Sequence, residues 1–145
     1  VERHIADASK HGAEIRLGGV PYPENPSGTF WTPTVLTNVS TDMLITQEET
    51  FGPVAPLISF DSEDEVIAMA NDTPFGLAGY FYTRDVSRVM RVAEKLEFGI
   101  IGANDALPSV AQAPFGGFKQ SGLGREGGSV GIDEYLEVKY LSLGL

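Results

Sequence analysis

VAPLISFDSEDEVIAMANDTPFGLAGYFYTRDVSRVMRVAEKLEFGII, residues 54–101, alternates two hydrophobic periods and decides the fold. Residues 54–60 are a short apolar run that reads as a strand. Ser62-Glu-Asp-Glu65 forms a capping box, in which a hydroxyl and a carboxylate satisfy backbone donors at a helix start. The helix it opens places Val66, Ile67, Met69 and Ala70 on its inner side. Residues 71–76 are turn chemistry, and residues 77–83 read as a second strand. Asp85 caps a second helix, whose Val86, Val89, Met90, Ala93 and Leu96 form an apolar stripe. Gly99 ends it, and Ile100-Ile101 begins a third, buried strand. Short continuous apolar strands separated by helices predict an α/β fold, a parallel sheet with crossover helices. Such sheets bind ligands beyond the carboxyl ends of their strands, and residues 104–115 occupy such an end.

Toward the amino terminus, residues 1–11 read as a helix with Val1, Ile5 and Ala8 at helical spacing and Gly12 as its stop. Residues 13–17 read as a short strand closed by Gly18-Gly19. Residues 21–28 hold three prolines and read as loop. Residues 30–39 are rich in strand formers but contain Pro33, which predicts an edge strand. Residues 43–49 are ambiguous. Toward the carboxyl terminus, residues 115–131 carry seven glycines, which permit close backbone approach and build little core. Residues 135–142 then alternate, with Leu136, Val138 and Tyr140 on one face and Glu137 and Lys139 on the other. That pattern predicts a half-buried strand in need of a partner.

The 145 residues are 42% apolar and 21% charged, the proportions of an ordinary globular domain. Twenty acidic against ten basic residues give a net charge of -10, and no Lys or Arg lies between Arg16 and Arg84. Without a cluster of bases, nucleic acid and anionic membrane are excluded as expected partners. No apolar run approaches the roughly 18–20 residues of a membrane helix. There is no cysteine, which excludes disulfides, thiolate metal sites and a cysteine nucleophile within these residues, and fits a cytoplasmic protein. The chain opens at Val1 on a helix already under way, so it is expected to be a piece of a longer protein.

Several motifs carry less than they promise. Gly122-Leu-Gly124-Arg-Glu-Gly127 matches the GxGxxG dinucleotide pattern, but the residues before it do not read as a strand, so the match is read as incidental. Asn38-Val-Ser40 and Asn71-Asp-Thr73 fit the glycosylation triplet without any sign of secretion. His4 and His11 are too isolated for a metal site and read as solvated helix surface. Glu48-Glu49-Thr-Phe51-Gly-Pro53 has two readings, a solvated turn, or a carboxylate for a ribose diol beside an aromatic that packs on a flat ring.

Taken in order, Glu48-Glu-Thr-Phe-Gly-Pro-Val54, Asn71-Asp-Thr-Pro-Phe-Gly-Leu-Ala78 and Pro114-Phe-Gly-Gly-Phe-Lys-Gln-Ser-Gly-Leu-Gly-Arg-Glu-Gly127 resemble the aldehyde dehydrogenase superfamily over the whole chain. The tail from Ser121 through Gly131-Ile-Asp-Glu-Tyr-Leu-Glu-Val-Lys-Tyr140 is most similar to succinate-semialdehyde dehydrogenases. The resemblance implies NAD- or NADP-dependent oxidation of an aldehyde, here succinic semialdehyde, to a carboxylic acid. A cysteine thiolate attacks the aldehyde, hydride passes to the nicotinamide, and water releases the acid. It also implies that the nucleophilic cysteine, the general-base glutamate and the oxyanion asparagine precede this segment. No catalytic residue then lies in this chain, and alone it is expected to be inactive. Residues 1–134 would be the C-terminal half of the catalytic domain, and residues 135–145 the terminal strand of the oligomerisation region. The expected partners are the rest of the polypeptide, an aldehyde substrate and further copies in a dimer or tetramer. The family's ribose-binding acid falls on Glu49, its nicotinamide-facing aromatic on Phe51 and its substrate-tunnel aromatic on Phe115. Ser109 falls on the serine that helps hold the substrate carboxylate, although Pro108 and Val110 beside it depart from that pattern. A family-derived module kept only for assembly or binding is the alternative.

Overall fold

The computed structural model describes residues 1–24 and 28–145. Residues 25–27, part of the proline-rich loop expected at 21–28, lie outside the described residues. The chain divides into two units, Val1–Met69 and Ala70–Leu145.

In the first unit the expected opening helix is α1 (Glu2–Lys10). Ile5 and Ala8 point into the core, as their spacing predicts, but so does His4, at 5% exposure. The reading of His4 as solvated helix surface is therefore corrected, while His11 does lie at the surface. Next come β1 (Glu14–Leu17), β2 (Thr34–Thr37), the short α2 (Leu44–Gln47) and β3 (Val54–Pro56). They form a sheet in the order β1-β2-β3, with β1 antiparallel to β2 and β3 parallel to it. Strand β2 is thus central, and the expected edge position is wrong. Pro33 stands one residue before the ladder, where its missing N–H costs nothing, and the first ladder donor is Thr34 N, bonded to Pro53 O at 2.8 Å. Arg16 is the extra residue of a bulge between Ile15 and Leu17. Leu36, Met43, Ala8, Ala13, Val39 and Ile45 form the core, with Val54 and Ile58 packed against it. Asp7 reaches across from α1 to cap α2, accepting from Leu44 N at 2.9 Å.

The helix α3 (Glu63–Asn71) starts as its capping box predicts. Ser62 Oγ accepts from Glu65 N at 3.2 Å, and the Glu65 carboxylate accepts from Asp61 N at 2.7 Å, one residue earlier than the motif's usual partner.

The second unit contains β4 (Ala78–Phe81), α4 (Val86–Lys95) and β5 (Ile100–Ala103). Strands β4 and β5 are parallel and joined through α4, the expected crossover. The single parallel sheet expected from β3 onward is instead two sheets, of three and two strands. Asp85 caps α4 through Ser87 N at 2.9 Å. Its buried face is rotated from the expected stripe. Val92 is the buried residue, flanked by Val89, Ala93 and Leu96, while Val86 and Met90 are exposed. Two short 3-10 turns, Lys119–Ser121 and Gly131–Tyr135, complete the regular structure. Residues 136–145 form no strand within the chain, and Leu136, Val138 and Tyr140 are exposed rather than half-buried. No helix of the described residues is long and apolar enough to cross a membrane.

Candidate functional site

The acid pair Glu48-Glu49 is split by its surroundings. Glu48 is tied back to α1, ion-paired with Arg3 and bonded to His4 Nε2 at 3.1 Å. Glu49 is exposed and makes no side-chain hydrogen bond or ion pair among the described residues. Beside it Phe51 is 93% exposed, an unusual position for a large aromatic, and its φ of 43° lies in the left-handed region. A non-glycine residue held there costs on the order of 1–3 kcal/mol. At Gly52, which follows, a Cβ would meet the Val1 side chain.

Ser109 and Phe115 both lie in the second unit and share two concave surfaces. One, of about 220 Å³, is lined by Gly99, Ile100, Ile101, Pro108, Val110, Ala113 and Pro114 together with Ser109 and Phe115. It contains no charged side chain, and the Ser109 hydroxyl is its one polar side-chain group. The other, of about 350 Å³, adds Ala111, Glu126 and Gly127, so an acidic group stands on that wall. The loop leaves the carboxyl end of β5 as expected, but it turns back, and Ser109 comes to lie against the amino-terminal half of the strand. Asn104 stands where the loop leaves β5. It adopts φ 57°, accepts from Thr83 N and donates to Thr83 O, both at 2.8 Å, and so extends the β4–β5 ladder by a side chain. This positioning asparagine was missed in the sequence, where its left-handed tolerance was the only available signal.

The glycine-rich segment is welded to the turn at residues 71–76. Gly76 O accepts from Gly99 N at 3.0 Å and from Phe118 N at 2.9 Å, while Gly76 N donates to Ser121 Oγ at 2.9 Å. Lys119 Nζ donates to Asn71 O at 2.7 Å and pairs with Glu97 at 2.8 Å. Asn71 spends its own amide on Lys95 O and Glu97 N, so this glycosylation triplet has a structural use. Phe115 is fixed by paired backbone bonds with Glu126, at 2.7 and 2.8 Å. Arg125 donates to Gly117 O at 3.0 Å and stacks 5.5 Å from the centre of the Phe118 ring. The GxGxxG match follows a 3-10 turn rather than a strand, as its incidental reading requires.

The sequence profile of the aldehyde dehydrogenase family matches residues 1–141. The chain is 57% identical over 144 residues to a glutarate-semialdehyde dehydrogenase of Pseudomonas aeruginosa, covering 99% of this chain and 29% of that protein. It is 54% identical over 145 residues to a succinate-semialdehyde dehydrogenase [NADP(+)] of Escherichia coli, covering all of this chain and 30% of the relative. Among solved structures, an E. coli NADP dependent enzyme superposes with a TM-score of 0.93 at 54% identity, over 99% of this chain and 30% of that one. The chain therefore spans about 29% of the length of the relatives it matches. A profile that runs through the acid pair, the turn at 71–76 and the glycine-rich segment welded to it makes this chain a member of the aldehyde dehydrogenase family.

Proposed function

We propose that this chain is the C-terminal part of an NAD- or NADP-dependent aldehyde dehydrogenase that oxidises succinic semialdehyde to succinate. One observation carries the reading: among the described residues Glu49 holds an exposed carboxylate without a hydrogen-bond or ion-pair partner, beside an aromatic ring at φ 43°. Those two groups fit a nicotinamide riboside. The carboxylate can accept from both ribose hydroxyls, and the Phe51 face can pack on the flat nicotinamide. When bound, the cofactor supplies the hydride acceptor. Glu49 holds its ribose and Phe51 orients its ring. On the substrate side, Ser109 donates its hydroxyl to the carboxylate of the semialdehyde, and Phe115 walls the tunnel against water. The thiolate comes from a cysteine outside these residues, since the chain has none. The relatives support an acid-bearing substrate, because the names of both carry a semialdehyde of a dicarboxylic acid.

Residues 1–134 belong in this reading to the catalytic domain, and residues 135–145 to a strand that pairs in a dimer or tetramer, where Leu136, Val138 and Tyr140 would find cover. A cytoplasmic setting fits the absence of cysteine. The alternative, an assembly module without chemistry, is favoured by that same exposed terminal face. Assay of the longer protein separates the two. Succinic semialdehyde with NAD or NADP should raise the reduced-cofactor absorbance, and the 145-residue chain alone should not. A longer protein that folds, assembles and turns over no aldehyde would leave the assembly reading.

Glu49→Gln in the longer enzyme is expected to raise the cofactor KM about tenfold and slow hydride transfer, by weakening charge-assisted bonds to the ribose. Its unfolding midpoint should hold, because the carboxylate is exposed and makes no side-chain hydrogen bond or ion pair among the described residues. Wild-type cofactor KM and pre-steady-state hydride transfer would reduce Glu49 to a surface acid.

A further inference from the structure

We propose that His4 is a positioning residue for the cofactor, one buried imidazole that grips the residues on both sides of Glu49 and sets the direction of its carboxylate. The proposal rests on the reading of Glu49 given above. His4 Nε2 lies 3.1 Å from Glu48 Oε2, and Nδ1 lies 3.0 Å from Thr50 Oγ1. An ionised carboxylate only accepts, so Nε2 carries a proton and donates to Glu48. In the neutral ring Nδ1 then accepts from the Thr50 hydroxyl. Both ring nitrogens are used, on residues 48 and 50.

Helix α2 ends at Glu48, and residues 49 and 50 take no regular structure. The side chains of 48 and 50 are both held by His4 of α1, while Glu49 between them is exposed and makes no side-chain hydrogen bond among the described residues. Little else holds the segment. Among the described residues, the backbone of residues 49–51 makes no hydrogen bond to other backbone groups. Glu49, Phe51, Gly52 and Pro53 are exposed. The helix providing the grip is itself fixed, since Ile5 and Ala8 are buried and Asp7 caps α2. Arg3 adds a second hold on Glu48, but it is exposed and reaches only one side of Glu49. His4 is thus the buried point from which Glu49 and Phe51 project.

The test uses the longer enzyme with four variants: His4→Phe, which fills the space without either bond; His4→Gln, which keeps a donor and an acceptor; Thr50→Val; and Glu49→Gln. His4→Phe is expected to raise the cofactor KM about fivefold, the loss of roughly one net hydrogen bond, with the aldehyde KM within about twofold of wild type. His4→Gln should recover part of the cofactor KM, and Thr50→Val, which removes one hydroxyl and threatens the fold least, should reproduce part of the loss. Thr50→Val gives the deciding reading if His4→Phe does not fold. A fall in the unfolding midpoint with both KM values unchanged, or with both raised together, makes His4 a core residue only and overturns the proposal. If Glu49→Gln raises the cofactor KM while the His4 and Thr50 variants leave it at wild type, the proposal fails and the reading of Glu49 stands. If Glu49→Gln itself has no effect, that reading falls and the proposal falls with it.

Discussion

Gly99→Ala is expected to cost the longer enzyme about 3 kcal/mol or more of stability, the high end for forcing one methyl into a packed site. A Cβ at Gly99 would stand 1.9 Å from Gly116 O, 2.8 Å from Gly116 C and 3.1 Å from Gly117 Cα. All three are backbone atoms, so no side chain can swing aside. Relief requires moving the start of β5 away from the glycine-rich segment. That motion also strains the bonds that meet at Gly76 O, from Gly99 N at 3.0 Å and from Phe118 N at 2.9 Å. Each such bond contributes about 1 kcal/mol net, and a buried donor left without a partner costs more. Thermal or denaturant unfolding of the variant beside the wild type gives the comparison. A wild-type midpoint for Gly99→Ala would mean that the two backbones do not approach this closely.

The same crossing shows which parts of the fold the sequence could reveal. The helix starts were legible because their determinants are local: Asp85 caps through a residue two positions on, and Ser62 and Glu65 act within one turn. The parallel pairing of β4 and β5 followed from two short apolar runs around a helix. The seven-glycine segment announced close approach without naming what approaches; its partners are 17 residues away at Gly99 and 45 residues away at Gly76, where Ser121 bonds. His4 was misread for the same reason. A histidine between Arg3 and Ile5 looks like helix surface until Glu48 and Thr50, 44 and 46 residues later, are folded onto it. Pro33 showed where a ladder could not begin but not that β2 would be flanked on both sides. The stripe on α4 was displaced because Val92 lies just outside the five residues whose spacing looked most regular, and only packing decides which arc of a helix is buried. For the candidate site, the residue roles came from the family resemblance that the three motifs carry, and Ser109 lies in none of those motifs. The return of the 104–114 loop along β5 starts at an asparagine with φ 57°, which no periodicity signals.

That return gives Ser109 its expected effect. Ser109→Ala in the longer enzyme should raise the KM for succinic semialdehyde by about 10- to 150-fold, the value of one hydrogen bond to a charged carboxylate, roughly 1.5–3 kcal/mol. Serine in an exposed loop is ordinarily solvated and dispensable, and Ser109 is exposed in this chain. The surrounding chemistry argues otherwise. The concave surface of about 220 Å³ that Ser109 lines is otherwise walled by apolar residues, among them Ile100, Ile101, Pro108, Val110, Ala113 and Phe115. Among the described residues Ser109 is the one side-chain donor lining it, and the resemblance places arginines that share the carboxylate in the rest of the polypeptide. On the adjoining surface Glu126 repels an anion, which favours holding the carboxylate on the Ser109 and Pro108 side. Removing a single Oγ from an exposed position leaves the packing of the loop in place, so the fold should be unaffected. Butanal carries no carboxylate and should lose little, less than about twofold in kcat/KM. The comparison therefore separates recognition from shape. Selective loss on the semialdehyde makes Ser109 a reader of the acid group, whereas equal losses on both substrates would mean that its hydroxyl shapes the loop and that the carboxylate is held elsewhere.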